Sequence, residues 1–310
     1  MTPDSFIALT FFVIALSIGG LFFLVYQKKN SQRGVSYPKF GDYSNLTFIG
    51  KGGMATIYRA KNKTLKCIVA IKMMDQSLMN DKDLATKFLK EGENLEKIND
   101  KFPNSPVVKA LEYSLRQSPG PYFIAMEYLK GPNLLQIIKT GKRLPVKSQL
   151  HIIKEVARGL QAAHSLGIYH RDIAPDNIIV DGDHVTLIDF GIAKQEFSDY
   201  RTMNQDIVGK PFYMSPEHSA GKTVDDKTDI YSLGAVLFYL LEGRPMYDDK
   251  NLVAILKMHQ EAPIPPINSP IPKDLKNFIT LMLDKDSERR PNAGQVIEQI
   301  QYFLDRGDVN

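Results

Sequence analysis

The chain has 310 residues, of which 43% are apolar and 24% are charged, a balance typical of a folded protein. Its formal net charge is +4, and no block of five or more basic residues occurs, so the sequence gives no support for nucleic-acid binding. Cys67 is the single cysteine, which excludes an internal disulfide and fits a reducing compartment.

The first element in the chain is an uncharged apolar run, FIALTFFVIALSIGGLFFLVY, at residues 6–26. As a helix these 21 residues would be about 31 Å long, which matches the hydrocarbon core of a bilayer. A buried globular helix would carry some polar face, and a cleaved signal peptide would be shorter, with a basic start and a small-residue cleavage site. We therefore expect one transmembrane helix at 6–26, after a short external N-terminus at 1–5.

The charges on either side of this run set its expected orientation. Asp4 is the one charged side chain before it, and the linker 27–42 that follows carries four cations, Lys28, Lys29, Arg33 and Lys39. Because Lys and Arg stay on the cytoplasmic side, we expect a single-pass membrane protein with its N-terminus outside and the rest in the cytoplasm. The basic linker either contacts anionic lipid headgroups or is only solvated. Ala15 and Gly19 form a small-xxx-small pair, which leaves a homodimer open because such pairs are common by chance.

After the linker the pattern is rich in predicted strands and then becomes helical. Residues alternate in NLTFIGKGGMATIYRA and CIVAIKMM, which predicts strand, tight loop, strand and a further strand, and YFIAMEYL predicts another. Helical spacing is found in DLATKFLKEGENLEKIND and, beyond Gly131, in LLQIIK, QLHIIKEVARGLQAAHSLG, DIYSLGAVLFYLLEG and DLKNFITLMLD. A small β-rich part followed by a larger helical part predicts two lobes with a cleft between them.

Within the β-rich part, IGKGGMATIY at residues 49–58 is a glycine-rich hairpin. Its glycines would let main-chain N–H groups approach phosphate oxygens, although such a hairpin is by itself most often only a turn. Lys72 ends the apolar run VAIK and needs a partner. Glu91 on the following helix is a plausible one, and Glu93 is its competitor.

Two later segments, HRDIAPDN at 170–177 and LIDFG at 187–191, add polar groups in a fixed order. Asp172 could accept a proton from an attacking hydroxyl. Asn177 and Asp189 offer the hard oxygen ligands that Mg²⁺ prefers beside phosphates. Any one of these residues alone is most often an ordinary turn or cap, but their order and spacing together are not explained in that way.

Across residues 43–305 these motifs resemble a eukaryotic-like (Hanks-type) serine/threonine protein kinase of the bacterial type. The resemblance implies an α+β, two-lobed protein-kinase fold, with a small β-rich N-lobe, a larger helical C-lobe and a C-terminal tail at 306–310. It matches Lys72 to the strand lysine and Glu91 to its helix partner, HRD to residues 170–172 and DFG to residues 189–191. Residues 215–217, SPE, stand for APE, and the structural anchors of the large lobe are Asp229 and Arg290, the latter paired with Glu217.

The same resemblance implies ATP and Mg²⁺ as cofactors and assigns the site residues. Asp172 and Lys72 would be catalytic, and Asn177 and Asp189 would hold the metal. Adenine would bind the hinge near Glu127 to Leu129, behind Met126. The full expected ATP site is Ile49, Gly50, Lys51, Gly52, Gly53, Ile57, Lys72, Glu91, Glu127, Leu129, Asn177 and Asp189.

The sequence departs from the family pattern at three positions. Ala55 replaces the third glycine of the loop, where little loss is expected. Ala174 stands where Ser/Thr kinases usually have a lysine that faces the γ-phosphate, and Lys210 stands where they usually have threonine. We hypothesise that the Lys210 ammonium restores the missing charge above Ala174 as a catalytic group; the alternative is that it points to solvent.

The resulting expectation is transfer of the γ-phosphate of Mg-ATP to Ser/Thr hydroxyls of protein substrates. Pro175 favours Ser/Thr over Tyr as the acceptor, and SPE favours a protein over a small molecule. Arg171 suggests autophosphorylation of the activation loop, where Thr202 is favoured over Ser198 and Tyr200. The alternative is a membrane-tethered pseudokinase scaffold that binds nucleotide and partners with little catalysis.

Overall fold

The computed structural model describes residues 42–114, 121–190, 210–307 and 309, with only the main chain of Lys210. The segments expected at 1–5 and 6–26 lie outside the described residues, as does the expected linker 27–42 except for Asp42. Gly191, Ser198, Tyr200 and Thr202 also lie outside them. In the part of the chain that the structure describes, no helix is long and apolar enough to cross a membrane.

The N-terminal lobe is built on a five-stranded antiparallel sheet with the order β1-β2-β3-β5-β4. Alternation correctly predicted four of its strands, but the short edge strand β4 carries too few residues to show a period. The strands are β1 (Tyr43–Lys51), β2 (Ala55–Asn62), β3 (Ile68–Met74), β4 (Ala110–Tyr113) and β5 (Phe123–Glu127).

One long helix, α1 (Lys82–Lys101), packs against β4 and β5. It begins where Asp81 accepts hydrogen bonds from the main-chain N–H groups of Asp83 and Leu84, which satisfies two of the free donors of the first turn. Leu95 and Ile98 lie on its buried face together with Glu91. A buried carboxylate on an otherwise apolar helix face requires a partner from outside the helix.

The C-terminal lobe is helical, with one small hairpin. The hairpin strands are β6 (Ile178–Asp181) and β7 (His184–Leu187), and short 3₁₀ turns lie at Pro175–Asn177, Lys210–Tyr213 and Ser287–Arg289. The helices are α2 (Leu134–Lys139), α3 (Val146–His164), α4 (Pro216–Ser219), α5 (Asp226–Glu242), α6 (Leu252–Glu261), α7 (Lys273–Met282) and α8 (Ala293–Arg306).

Helix α5 forms the centre of this lobe. It is apolar on all sides from Ile230 to Leu241 and packs between α3 and α7. Such a helix is stable only when its neighbours cover it. The expected two-lobed α+β fold is therefore confirmed for the described residues.

Candidate active site

Lys72 lies in the centre of the N-lobe sheet, on β3 between β2 and β5. Its ammonium donates to both carboxylate oxygens of Glu91, at 2.7 and 2.9 Å, and to Oδ1 of Asp189 at 2.8 Å. Burial acts against the charge of Lys72, but these two carboxylates outweigh it and raise its pKa. Lys72 is therefore held as a cation before any ligand arrives.

The competing candidate, Glu93, lies on the opposite side of α1. Its side chain is 39% exposed and pairs with Lys90 at 2.9 Å and Lys97 at 2.6 Å, which are ordinary helix-surface contacts. The Lys72–Glu91 pair expected from the sequence is thus the one present in the structure.

The catalytic loop that contains HRD is fastened to the buried carboxylate of Asp229. Main-chain N–H groups of His170 and Arg171 donate to Asp229 at 2.9 and 2.7 Å, and His164 Nε2 lies 2.8 Å from Oδ2. Burial opposes ionisation of Asp229, but its bond with His164 and the surrounding donors outweigh burial and lower its pKa. Asp229 therefore fixes the main chain at the residue before Asp172, where Arg171 has a φ of 64°.

Asp172 and Asn177 are joined directly. Asn177 Nδ2 donates to the Asp172 carbonyl at 2.7 Å and to Asp172 Oδ2 at 3.1 Å. The turn that brings them together begins at Pro175, and the Asn177 N–H donates to the Ala174 carbonyl at 3.0 Å. Because the amide nitrogen of Asn177 faces Asp172, its carbonyl oxygen is the atom suited to a cation.

Asp189 follows β7 and has a left-handed backbone, with a φ of 61°. Phe190 is buried beside the ring of His170, with centroids 4.7 Å apart, and His170 Nε2 donates to the Ile188 carbonyl at 2.9 Å. Burial lowers the pKa of His170, so the ring is neutral at pH 7 and acts as a packing and hydrogen-bonding group. This packing places the Asp189 carboxylate, 37% exposed, towards the cleft and Lys72.

The glycine loop lies between β1 and β2. A Cβ at Gly50 would meet nothing within 4 Å, so no contact with the described protein atoms requires glycine there. Ile49 is 44% exposed and Ile57 is half-buried, so both side chains are accessible to a ligand.

A contact that the sequence analysis missed holds this loop to the end of β3. Asp75 accepts a bond from the Thr56 hydroxyl at 3.1 Å, and its N–H donates to the Met54 carbonyl at 2.9 Å. Lys51, exposed at the tip, lies 3.9 Å from the same carboxylate. No sequence motif marks Asp75, because the fold of the β1–β2 hairpin brings Met54 and Thr56 to it.

The predicted hinge follows β5. Met126 is buried. The Glu127 N–H donates to the Lys109 carbonyl at 3.0 Å, and the Lys109 N–H donates to Glu127 Oε1 at 2.9 Å. Leu129 is half-buried and packs against the core. These contacts hold the predicted adenine-binding segment at the end of β5.

The segment that ends in SPE is anchored by Arg290. Its Nη1 and Nη2 donate to the two oxygens of Glu217 at 2.7 and 2.8 Å, and Thr228 donates to Glu217 at 2.7 Å. The Glu217–Arg290 pair expected from the sequence is present, and the Thr228 bond was missed. Ala174 is buried, while the side chain of Lys210 lies outside the described residues, so the proposed compensation stays a prediction.

Comparison with known proteins assigns the family. The protein kinase domain family matches residues 43–303, which include every residue of the site described above. The chain belongs to the protein kinase family. Its kinase domain thus contains the Lys72–Glu91 pair and both aspartates in the order that the family requires.

Curated bacterial relatives carry serine/threonine-protein kinase names. A probable serine/threonine-protein kinase of Clostridium perfringens is 35% identical over 259 residues, 82% of this chain and 37% of that protein. PrkC of Bacillus subtilis is 33% identical over 275 residues, covering 87% and 42%, and PknB of Mycobacterium leprae is 32% identical over 264 residues, covering 82% and 41%. The chain therefore spans about two fifths of the length of these relatives.

Proposed function

We propose that this kinase domain transfers the γ-phosphate of Mg-ATP to serine or threonine hydroxyls of protein substrates. The observation that carries the proposal is the contact of Lys72 with Glu91 and Asp189 at once. This contact connects the helix of the small lobe to a metal-binding carboxylate of the large lobe, as phosphoryl transfer requires. The names of the relatives support the same class of acceptor.

Protein kinases generally use ATP and Mg²⁺, and the polar groups of this site suit both ligands. The Asn177 carbonyl oxygen and the Asp189 carboxylate would hold Mg²⁺, whose preferred sites combine one or two such groups with phosphate oxygens. Bound Mg²⁺ supplies charge that offsets the phosphates. Lys72 would contact the α- and β-phosphates, and Glu127 to Leu129 would bind adenine. The rest of the proposed ATP site is Ile49, Gly50, Lys51, Gly52, Gly53, Ile57 and Glu91.

Asp172 would orient the acceptor hydroxyl and take its proton. The hydroxyl oxygen forms a bond to the γ-phosphorus while the bond from that phosphorus to the β–γ bridging oxygen breaks, and ADP leaves. The bonds from Asn177 to Asp172 hold this carboxylate in place without a ligand. Orientation of the base is therefore a property of the folded loop.

We propose further that Lys210 replaces the cation missing at Ala174. The Lys210→Ala change should then lower kcat by about a hundredfold to a thousandfold, because one donor to the transition state is lost. Exposed Lys222 offers a matched control, since Lys222→Ala should leave kcat near the parent value. Equal rates for the two variants would mean that Lys210 faces solvent.

Regulation and location are also proposals. We propose that the chain autophosphorylates at Thr202, with Ser198 as the second candidate, and a phosphopeptide map of active protein would test this.

We propose that residues 6–26 anchor a single-pass protein in the bilayer with the kinase domain in the cytoplasm. Carbonate extraction and protease protection of membranes would test that arrangement, and crosslinking would test whether two copies pair.

The activity itself is tested by transfer of labelled phosphate from Mg-ATP to a generic basic protein. The full chain, purified in mild detergent, is compared with its Lys72→Met variant as the blank. Label on serine or threonine above the blank supports the proposal. ATP binding without transfer would favour the pseudokinase scaffold, and Ala174→Lys would be the first variant to test for restored transfer.

A further inference from the structure

One cation of the N-lobe sheet has no part in the transfer proposed above. Arg59 lies on β2, and its guanidinium carbon is 5.5 Å from the centre of the Tyr128 ring, which is within the range of a cation–π contact. Tyr128 lies between Glu127 and Leu129, in the segment proposed to bind adenine. The contact therefore connects the second strand of the sheet to the predicted hinge.

The register of the sheet places Arg59 on the same face as Lys72. Arg59 is paired with Ala70 on β3, and Ala70 is paired with Met126 on β5. Directly paired residues share a face, and so do alternate residues along a strand, so the rows through Ala70 and Lys72 are neighbours on one face. These rows are roughly 7 Å apart, at about 3.4 Å per residue. Arg59 thus belongs to the row that ends at Met126, directly before the hinge segment.

This face of the sheet is accessible to a ligand. Along β3, Val69 and Ile71 are fully buried, whereas Ala70 and Lys72 remain partly exposed. Arg59 is also half-buried. Such alternation means that the protein covers one face of the strand and leaves the other partly open. The small side chain of Ala70 leaves space in its row for a flat ring.

The Arg59 guanidinium keeps its hydrogen-bond donors available. It has five N–H groups and no acceptor, and in the part of the chain that the structure describes it makes no hydrogen bond or ion pair. Lys72 differs, because two carboxylates already hold its ammonium. Stacking on Tyr128 orients the planar guanidinium, so its donors are set in position before a ligand binds.

We propose that Arg59 and Tyr128 form a clamp on the adenosine part of the bound nucleotide. The Tyr128 ring and the row through Ala70 border the base, and the Arg59 donors bind the ribose hydroxyls. The inference rests on the proposed function, because it takes binding of adenine at the hinge as given. It deepens that function by assigning two contacts that select for the nucleoside, one row away from the lysine that contacts the phosphates.

Calorimetric titration of the full chain in mild detergent, with adenosine and with ADP, tests the clamp. Arg59→Ala should weaken both ligands by the same factor, about threefold to tenfold, as expected for one lost contact. Lys72→Met should weaken ADP but leave the affinity for adenosine within about twofold of the parent. A larger loss for ADP than for adenosine in Arg59→Ala would show that Arg59 acts on phosphate charge and would overturn the proposal.

Lys61→Ala is the matched control. Lys61 lies on the same face of β2, two positions after Arg59, and is exposed, so this change removes the same charge from the same strand without touching the clamp. Both affinities should stay at the parent value. Equal losses in Lys61→Ala and Arg59→Ala would mean that general charge, and not the contact with Tyr128, determines binding.

Substitutions at Tyr128 test the other half of the clamp. Tyr128→Leu removes the aromatic face and should weaken adenosine as much as Arg59→Ala does, whereas Tyr128→Phe keeps the ring and should stay within about twofold of the parent. In the double variant Arg59→Ala/Tyr128→Leu the loss should be well below the product of the single losses, because the two side chains act as a unit. The full product would overturn the clamp.

The titrations do not depend on phosphoryl transfer, so the two proposals can fail separately. If adenosine affinity depends on Arg59 but the parent chain transfers no phosphate, the proposed function fails and the clamp stands. Transfer by the parent, with adenosine affinity unaltered in Arg59→Ala, overturns the clamp alone. Absence of adenosine binding by the parent overturns both.

Discussion

Replacing Glu217 by glutamine removes the counterion of a buried arginine. Arg290 is 2% exposed and gives Glu217 two bonds, at 2.7 and 2.8 Å. Its other N–H groups donate to the carbonyls of Lys227 at 2.9 Å and Asp284 at 2.8 Å, so the guanidinium is held in place on several sides. The variant should therefore leave a charge buried without its partner.

The expected loss of folding free energy follows from the pKa of Glu217. Burial opposes ionisation of this carboxyl, but the bonds and charge of Arg290, aided by Thr228, lower its pKa from 4.5 to about 2. That shift corresponds to about 3 kcal/mol of folding free energy at pH 7. Removing one partner of a buried ion pair typically costs about 3–5 kcal/mol, so both routes give the same magnitude.

The contribution of Glu217 to stability changes with pH in a defined direction. A carboxyl whose folded pKa is depressed stabilises the protein fully above its unfolded pKa and loses that contribution as the pH falls towards the folded value. For Glu217 about 1 kcal/mol should be lost by pH 4 and about 2 kcal/mol by pH 3. Protonated Glu217 resembles glutamine, so the difference between parent and Glu217→Gln should shrink over this window.

The assay is urea unfolding followed by circular dichroism at pH 7, 5, 4 and 3. Glu93→Gln is the matched control, because Glu93 is 39% exposed and its surface pairs should contribute at most about 1 kcal/mol. A difference at pH 7 below about 1 kcal/mol for Glu217→Gln, or one that does not change with pH, would refute the reasoning, since a buried pair requires both.

Four further substitutions test the glycine loop and the packing of α1. Asp75→Ala should raise the KM for ATP about threefold with little change in the peptide KM, and Thr56→Val should do the same, because each removes the bond from the Thr56 hydroxyl to the Asp75 carboxylate that holds the loop. Gly92→Ala would place its Cβ 2.7 Å from the ring of Tyr113 and should destabilise the fold by about 1–3 kcal/mol in urea unfolding. The Cβ added by Gly50→Ala would meet no protein atom, so this variant should keep the stability of the parent but bind ATP more weakly. Calorimetric titration measures that affinity, and an unaltered value would contradict the prediction.

Local patterns were sufficient to predict most of the long elements. Alternation placed β1, β2 and β3, and the spacing of apolar residues placed α1, α3 and α5, because each of these buries a regular face. Helices α6 and α8 were not identified, although Ile300 and Phe303 lie on a buried face of α8. Val296, Ile300 and Phe303 do follow helical spacing, so the period of α8 is present in the sequence.

The candidate site was predicted where motif residues bond to one another, as in Lys72 with Glu91. It was not predicted where one partner is remote and carries no motif. His164 lies 65 positions from the anchor Asp229, and His259 lies 28 from Tyr231, so only the packed helices bring each pair together. Spacing along a chain does not show which faces of two helices will meet.

The central position of α5 also determines how the kinase domain can fail. Three groups of its first turns, Thr228, Asp229 and Tyr231, hold the SPE anchor, the catalytic loop and the His259 ring. Because this helix is covered on all sides, it can open only when the whole lobe opens. Heat or denaturant should therefore abolish the Glu217 anchor and the Asp172 geometry in one cooperative step, whereas the glycine loop can fluctuate independently of that step.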